Sequence, residues 1–169
     1  MQIRQGDVRD WPFIYALAKE VIPNSISPWR LQPMGETIKY RDKVLKVFWT
    51  WIQQTDSKVF IAEEIDDKDP IKLGYLILYP GSIEELTGLN QAWVMDFAVL
   101  SSYRGYGTGT ALLEAVEKFC YDSGIVYLGL AVSSHNHKAL QLYEKVGFAE
   151  ERKLMVKVLK KACGENRRK

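Results

Sequence analysis

The sequence predicts an α/β (α+β) fold built on one mixed sheet, and three observations predict it. Apolar residues recur at helical spacing through the first 54 residues, and from residue 58 the pattern changes to β-rich runs. A glycine-rich stretch, "YRGYGTGTALL", then joins a strand-like run to a helix-like run, as a βαβ unit requires. No internal repeat and no linker divides the chain. Residues 1–160 are therefore expected to form one domain, with 161–169 a flexible basic tail.

Gln2 to Arg4 reads as a short strand. Asp10 is positioned to N-cap a first helix that has Pro12 in its first turn and Phe13, Ile14, Leu17 and Val21 on one side. "PNSISPWRLQP" carries three prolines and reads as a loop. A second helix is expected from about Glu36 to Gln54, with Ile38, Leu45, Phe48, Trp49 and Ile52 as its apolar stripe. "KVFIAEEI" and "IKLGYLILY", joined by "DDKDP", form a hairpin, and "QAWVMDFAVL" is the next strand. After the glycine loop comes a helix with Leu112, Ala115, Val116 and Phe119 inward and Glu114, Glu117 and Lys118 outward. "IVYLGLAV" is almost wholly apolar and predicts a central strand. "NHKALQLYEKV" predicts a short helix ending at Gly147, and "ERKLMVKVLK" alternates like a final strand.

Composition narrows the function. Hydrophobic residues are 47 % and charged residues 26 % of the chain, ordinary for a globular protein. The net charge of +2 is too small to point to nucleic acid, and the one basic cluster, Lys160, Lys161, Arg167, Arg168 and Lys169, reads as a solvated terminus. Cys120 and Cys163 are read as free thiols in a reducing compartment. The charged start lacks a secretory h-region, and no apolar run approaches the roughly 20 residues that span a bilayer, so a cytoplasmic protein is expected, with no membrane partner.

The glycine loop carries the chemistry. The first N–H groups of a helix have no intrahelical partner, and the helix dipole adds about half a positive charge there, so a loop of this kind is an anion site. A P-loop needs Gly-Lys-Ser/Thr, yet no lysine stands between Arg104 and Lys118. A dinucleotide fingerprint needs G-x-G-x-x-G, whereas the spacing here is Gly105-x-Gly107-x-Gly109. Arg104-x-x-Gly107-x-Gly109 instead resembles motif A of the GNAT superfamily of acyl-CoA-dependent N-acyltransferases, Gln/Arg-x-x-Gly-x-Gly/Ala. "VSSHNHKALQLYEKVGF" resembles the motif B of that family, with Asn136, Ala139, Leu142, Tyr143, Gly147 and Phe148 at its spacing, and Gly74 falls where its third strand commonly has glycine. The resemblance spans about residues 58 to 159; the first 55 residues match only in having two helices after a strand.

That resemblance implies a GNAT-like fold, a mostly antiparallel central sheet with helices on both faces, and acetyl-CoA as co-substrate with no metal. It implies that the amides of Arg104, Gly105, Tyr106, Gly107, Thr108, Gly109 and Thr110 hold the coenzyme A pyrophosphate. The fourth and fifth strands would splay apart, leaving backbone groups of Phe97, Ala98 and Val99 for the pantetheine arm and acetyl carbonyl. Asn136 would hold the pantetheine side while also capping its helix, and Tyr143 would stand beside the thioester sulfur as general acid.

The general base is open at this level. Asp96 is the nearest candidate, and Glu63, Glu64 and Glu84 are alternatives whose plain reading is solvated surface. His135 and His137 read as two exposed imidazoles without a third ligand, and Cys120 as a packed thiol on a helix flank. Arg30, in the loop that resembles an acceptor wall, is either a grip for an acceptor carboxylate or a surface arginine. No cysteine or serine has nucleophile spacing, so the expected reaction is direct transfer of acetyl to a primary amine, by a monomer or homodimer. The reading from another class is a non-catalytic acyl-CoA sensor. Amino acid, polyamine, antibiotic, peptide N terminus and lysine side chain all fit as acceptor; the lack of an acidic cluster in the first 55 residues speaks against polyamines and aminoglycosides.

Overall fold

A computed structural model describes residues 1–65 and 69–159. In chain order it contains β1 (Gln2–Gln5), a 3₁₀ turn (Val8–Asp10), α1 (Trp11–Ser25), α2 (Met34–Gln54), β2 (Lys58–Glu64), β3 (Ile71–Ile83) and β4 (Asn90–Val99). A second 3₁₀ turn (Ser101–Tyr103), α3 (Thr108–Asp122), β5 (Leu128–Gly129) and α4 (His137–Lys145) follow. The strands lie in the order β1-β2-β3-β4-β5, antiparallel except for the parallel pair β4–β5. The hairpin read from the sequence is the β2–β3 pair, although its turn residues Asp66–Lys68 fall outside the described residues.

Helices cover both faces. On one, Ile14 and Leu17 of α1 and Leu45 and Ile52 of α2 pack on Ile61, Tyr75 and Ile77. On the other, Leu112, Leu113 and Val116 of α3 pack on Ala62, Leu76 and Leu78. The unbroken buried run Leu73–Leu78 in β3 follows from that double cover: a strand with helices on both faces has no solvated side to alternate toward. Gly74 stands opposite Val99, where an added Cβ would lie 2.7 Å from the carbonyl oxygen of Ala98, so β3 and β4 approach closely only because it is glycine.

At the other end of the sheet Arg4 bridges two buried carboxylates. Its guanidinium pairs with Asp10 and Glu63 at 2.8 Å each, and Lys72 adds a bond of 2.6 Å to Asp10. Burial alone would raise the Asp10 carboxyl, but bonds from Arg4, Lys72 and the Asp7 amide outweigh it and hold the group far below the usual carboxylate range. Asp10 does precede α1 as its N-cap residue, yet its side chain makes no cap bond there; it accepts from Asp7 N instead.

Three sequence expectations are corrected. Pro23 and Ser25 belong to the last turn of α1 rather than to the loop. "IVYLGLAV" is not a central strand: only Leu128 and Gly129 pair, with Ala92 and Trp93, at the end of the described sheet, and Val126 is 81 % exposed. Apolar content made that run look interior, but β5 leaves β4 after two pairs. "ERKLMVKVLK" makes no strand over residues 151–159, where Leu154 and Met155 are exposed. Alternation supplies a side-chain pattern, while a strand also needs a partner edge for its backbone groups, and β5 is too short to be one. Lys160 and the basic tail lie outside the described residues. Among the described residues no helix is long and apolar enough to cross a membrane.

Candidate functional site

The site is built where β4 and β5 part. After Trp93, β4 keeps its ladder with β3 on one edge and has no strand partner among the described residues on the other. The register slips between Ile77 and Leu78, which pair with Asp96 and Val94, so Met95 is an extra residue in a β-bulge. One inserted residue reverses the facing of everything after it. Val94 packs with the α3 face, but beyond the bulge Ala98 joins the α1/α2 core and Asp96 reaches Tyr75 in that same core.

The glycine loop follows. Gly105 and Gly107 have φ of +84° and +87°, with nothing within 4 Å of a Cβ at either, so backbone conformation alone demands glycine there. Gly109 is glycine for another reason: its Cβ would meet Leu142 Cδ2 at 3.0 Å and Phe97 Cζ at 3.2 Å, where α3 rests on α4 and β4. The three glycines thus do two jobs, a left-handed entry to α3 and a close helix contact. Among the described residues, the amides of Gly105 to Thr110 have no recorded acceptor; Ala111 N, bonded to Gly107 O at 2.9 Å, is the first that does. Arg104 is exposed, and its Nε donates to Val99 O at 2.9 Å, tying the loop to the end of β4.

Asp96 is half-buried. Its Oδ2 accepts from the hydroxyl of fully buried Tyr75 at 3.0 Å, and its Oδ1 from Phe97 N at 3.0 Å. Burial raises the Asp96 carboxyl, and the Tyr75 hydroxyl, the charge of Arg41 on α2 and the Phe97 amide offset this only in part, leaving it above the ordinary range. The Tyr75 phenol is pushed well above its usual value by burial and by Asp96. Tyr143, on α4, packs against Phe97 and Phe148 with ring centroids 6.3 and 5.7 Å away. Burial, with the nearby Asp96 charge second, pushes its pKa up to about 12. The Asp96 charge therefore reaches Tyr143, although the glycine loop and α3 separate the two residues in the chain.

Asn136 caps α4, its side chain accepting from Ala139 N at 3.4 Å. Three residues earlier in the loop, Ser133 Oγ donates to Ser25 O at 2.6 Å and holds the end of α1 beside the segment that leads to Asn136. His137 is exposed, but His135 is half-buried with Nδ1 unpartnered among the described residues, which corrects the expectation of two exposed imidazoles. Cys120 is buried in the α3 core, as a packed thiol should be.

Of the other carboxylates, Glu63 is held by Gln2 and Arg4, and Glu84 accepts from Thr87, Leu86 N and Arg152, which bring it down to about 2. Glu64 is exposed at the end of β2. Glu63 and Glu84 carry structural bonds and lowered pKa values, which weaken a base, whereas Asp96 is raised.

Residues 23–148 match the sequence profile of the Acetyltransferase (GNAT) family. The chain belongs to that family. It is similar to an N-alpha-acetyltransferase of Sulfurisphaera tokodaii, 43 % identical over 77 residues that make up 44 % of this chain and 42 % of that protein. Among solved structures, a putative acetyl transferase from Pyrococcus furiosus has a TM-score of 0.75 at 23 % identity, covering 94 % of this chain and 99 % of that one. AAC(6')-Iy, solved with the bisubstrate analog CoA-S-monomethyl-acetylneamine, has a TM-score of 0.67 at 19 % identity, covering 94 % of this chain and 97 % of that one. These two likenesses carry the fold. The chain spans about half the length of the curated relatives it matches.

Two residues at the site were not singled out in the sequence. Tyr75 is a lone phenol inside the apolar run "IKLGYLILY", a polar atom that a buried strand must satisfy. Arg41 stands on the α2 stripe between Ile38 and Leu45, where an apolar residue would be ordinary.

Proposed function

We propose that this protein is an N-acetyltransferase that moves the acetyl group of acetyl-CoA directly onto a primary amine, within one domain. The observation that carries the reading is the pair Asp96 and Tyr143 beside the open edge of β4, each with its pKa raised and the Asp96 charge helping to hold the Tyr143 proton on. Asp96 is the base. A carboxylate above its ordinary range takes the amine proton as the nitrogen attacks the thioester carbonyl carbon. Tyr143 stays neutral at working pH and gives its proton to the sulfur as the carbon–sulfur bond breaks. The two steps assist each other. Once Asp96 is protonated its charge no longer holds the Tyr143 proton on, so the acid strengthens when the leaving group needs it. Proton return from Asp96 to Tyr143 resets the pair.

The amides of Gly105 to Thr110, with the dipole of α3 behind them, suit the pyrophosphate of coenzyme A, and the unpaired edge at Phe97, Ala98 and Val99 suits the pantetheine amides. Asn136 keeps its side-chain NH₂ for the same arm. Arg104 contributes its charge there, since its Nε is already engaged. The small net charge speaks against nucleic acid as the partner, and the same reading takes the protein as a cytoplasmic monomer or homodimer without a membrane partner.

The test has two readouts. Acetyl-CoA at about 100 times its Kd adds about 2.7 kcal/mol, and each kcal/mol moves Tm by roughly 2–4 °C at this length, so a rise of several degrees is expected with acetyl-CoA and none with NAD or ATP. Thiol release from acetyl-CoA with a primary amine panel reads the chemistry. A flat melting profile rejects the coenzyme site; a shift without thiol release makes the protein an acyl-CoA sensor.

A further inference from the structure

Arg41 is a cation on the buried stripe of α2. Positions 38, 41, 45, 48 and 52 share one face of that helix, and its members Leu45 and Ile52 are 1 % and 6 % exposed in the core that also holds Tyr75 and Ala98. Arginine is rarely placed on such a face unless something pairs with it. Around it Lys19 and Lys46 pair with Asp42, and Lys39 with Glu36, so the carboxylates of α2 nearest to it are already engaged. Half-buried Arg41 makes neither an ion pair nor a side-chain hydrogen bond among the described residues. Side chains on a helix lean toward its N terminus, so Arg41 leans away from the packed Leu45 and toward the end of α2 nearest the loop from Ile26 to Pro33. Its charge is felt at both Tyr75 and Asp96. Five guanidinium N–H donors thus stand on the helix face that packs into the core of Tyr75, the partner of the proposed base, without an acceptor among the described residues, in a fork that matches a carboxylate.

Resting on the acetyl-transfer reading above, we propose that Arg41 anchors the acceptor through an anionic group, so that the acceptor is a primary amine that carries a carboxylate. Arg41 is then a specificity-determining residue: it binds the carboxylate of the acceptor and leaves the amine at Asp96. Arg30, the arginine the sequence offered for this grip, is exposed in the α1–α2 loop, where water competes for it. The carboxylate has two natural sources, a free amino acid or a peptide whose residue after the N terminus is acidic.

The experiment measures thiol release from acetyl-CoA with matched acceptors. L-Glutamate, L-leucine, β-alanine and γ-aminobutyrate are each compared with their amides, and C-terminally amidated tetrapeptides beginning Ser-Glu with those beginning Ser-Gln. A charge-assisted bidentate contact predicts a preference for the carboxylate member of a pair of roughly 10- to 100-fold in kcat/KM, expressed in KM. Arg41→Gln should collapse that ratio toward one while acetyl-CoA still raises Tm, and Arg41→Lys should restore part of it. The amino acid and peptide arms tell the two sources apart. Equal turnover of acids and amides, turnover confined to uncharged or cationic amines, or a ratio that survives Arg41→Gln each overturn the inference and leave acetyl transfer standing. The first two readouts use the parent protein and do not depend on a variant folding. Absence of thiol release with every amine, despite a melting shift with acetyl-CoA, instead removes the catalytic reading and this inference with it.

Discussion

Gly107 is the position at which conformation and ligand binding can be separated. Its φ is +87° at the N-cap of α3, and a Cβ there would meet nothing within 4 Å. Any cost of a side chain in the free protein is therefore conformational. For an L-residue the left-handed region costs about 1–2 kcal/mol, which lowers Tm by roughly 2–8 °C at this length. Gly107→Ala should show that loss. Gly107→Asn should recover much of it, because asparagine enters the left-handed region most readily after glycine. Gly109 is the control: φ is not left-handed there, and the Cβ meets Leu142 and Phe97 at 3.0 and 3.2 Å, so alanine and asparagine should both destabilise it by about 1–3 kcal/mol of overpacking. Thermal melts of the four variants, with and without acetyl-CoA, read both effects. Gly107→Val, branched at Cβ in the path of a phosphate, should fold with a lowered Tm and show no shift with acetyl-CoA. If Gly107→Asn melts with Gly107→Ala, the conformational reasoning fails; if Gly107→Val binds acetyl-CoA normally, the phosphate cradle does.

Tyr143→Phe should lower kcat by roughly 10²- to 10⁴-fold with coenzyme affinity and Tm little changed, since it removes one oxygen from a ring held by Phe97 and Phe148. Asp96→Asn should cost kcat a similar factor, about 10²–10⁴, without lowering Tm at neutral pH. The sign follows from linkage: a carboxyl raised above its unfolded value binds its proton more tightly in the folded state, so ionised Asp96 subtracts stability above that range. The acid limb of kcat/KM should lie above the ordinary carboxylate range and move up further in Tyr75→Phe, which removes a donor to the ionised form; a downward move would reject Asp96 as the base. Arg4→Met should cost up to about 3–5 kcal/mol, seen as a lower urea midpoint, because it takes the shared cation from buried Asp10 and Glu63 and leaves them Lys72 and Gln2 respectively. In the parent, Asp10 is depressed, so its contribution is complete above the ordinary carboxylate range and is lost as pH falls below it.

Much of the fold and half of the site were legible along the chain. The stripe Leu45 to Ile52, the hairpin, the α3 pattern and Gly147 at φ +99° after α4 all rest on interactions within a few residues, and local periodicity and turn chemistry encode those. The same holds for the glycine loop and for Asn136 as a cap. Other features needed neighbours distant in sequence. Whether Asp96 faces α2 or α3 depends on one extra residue, Met95, and a bulge is defined by two strands rather than one. Tyr75 meets Asp96 only when β3 lies beside β4, and the face of α2 that carries Arg41 joins them only when that helix packs into the same core. The alternating run from Glu151 to Leu159 failed as a strand for the converse reason: its own pattern was sufficient, but the edge it required was not there to pair with. A carboxylate's basicity is likewise set by what surrounds it, so four acidic residues that look alike in sequence became one raised carboxyl, two structural anions and one solvated end.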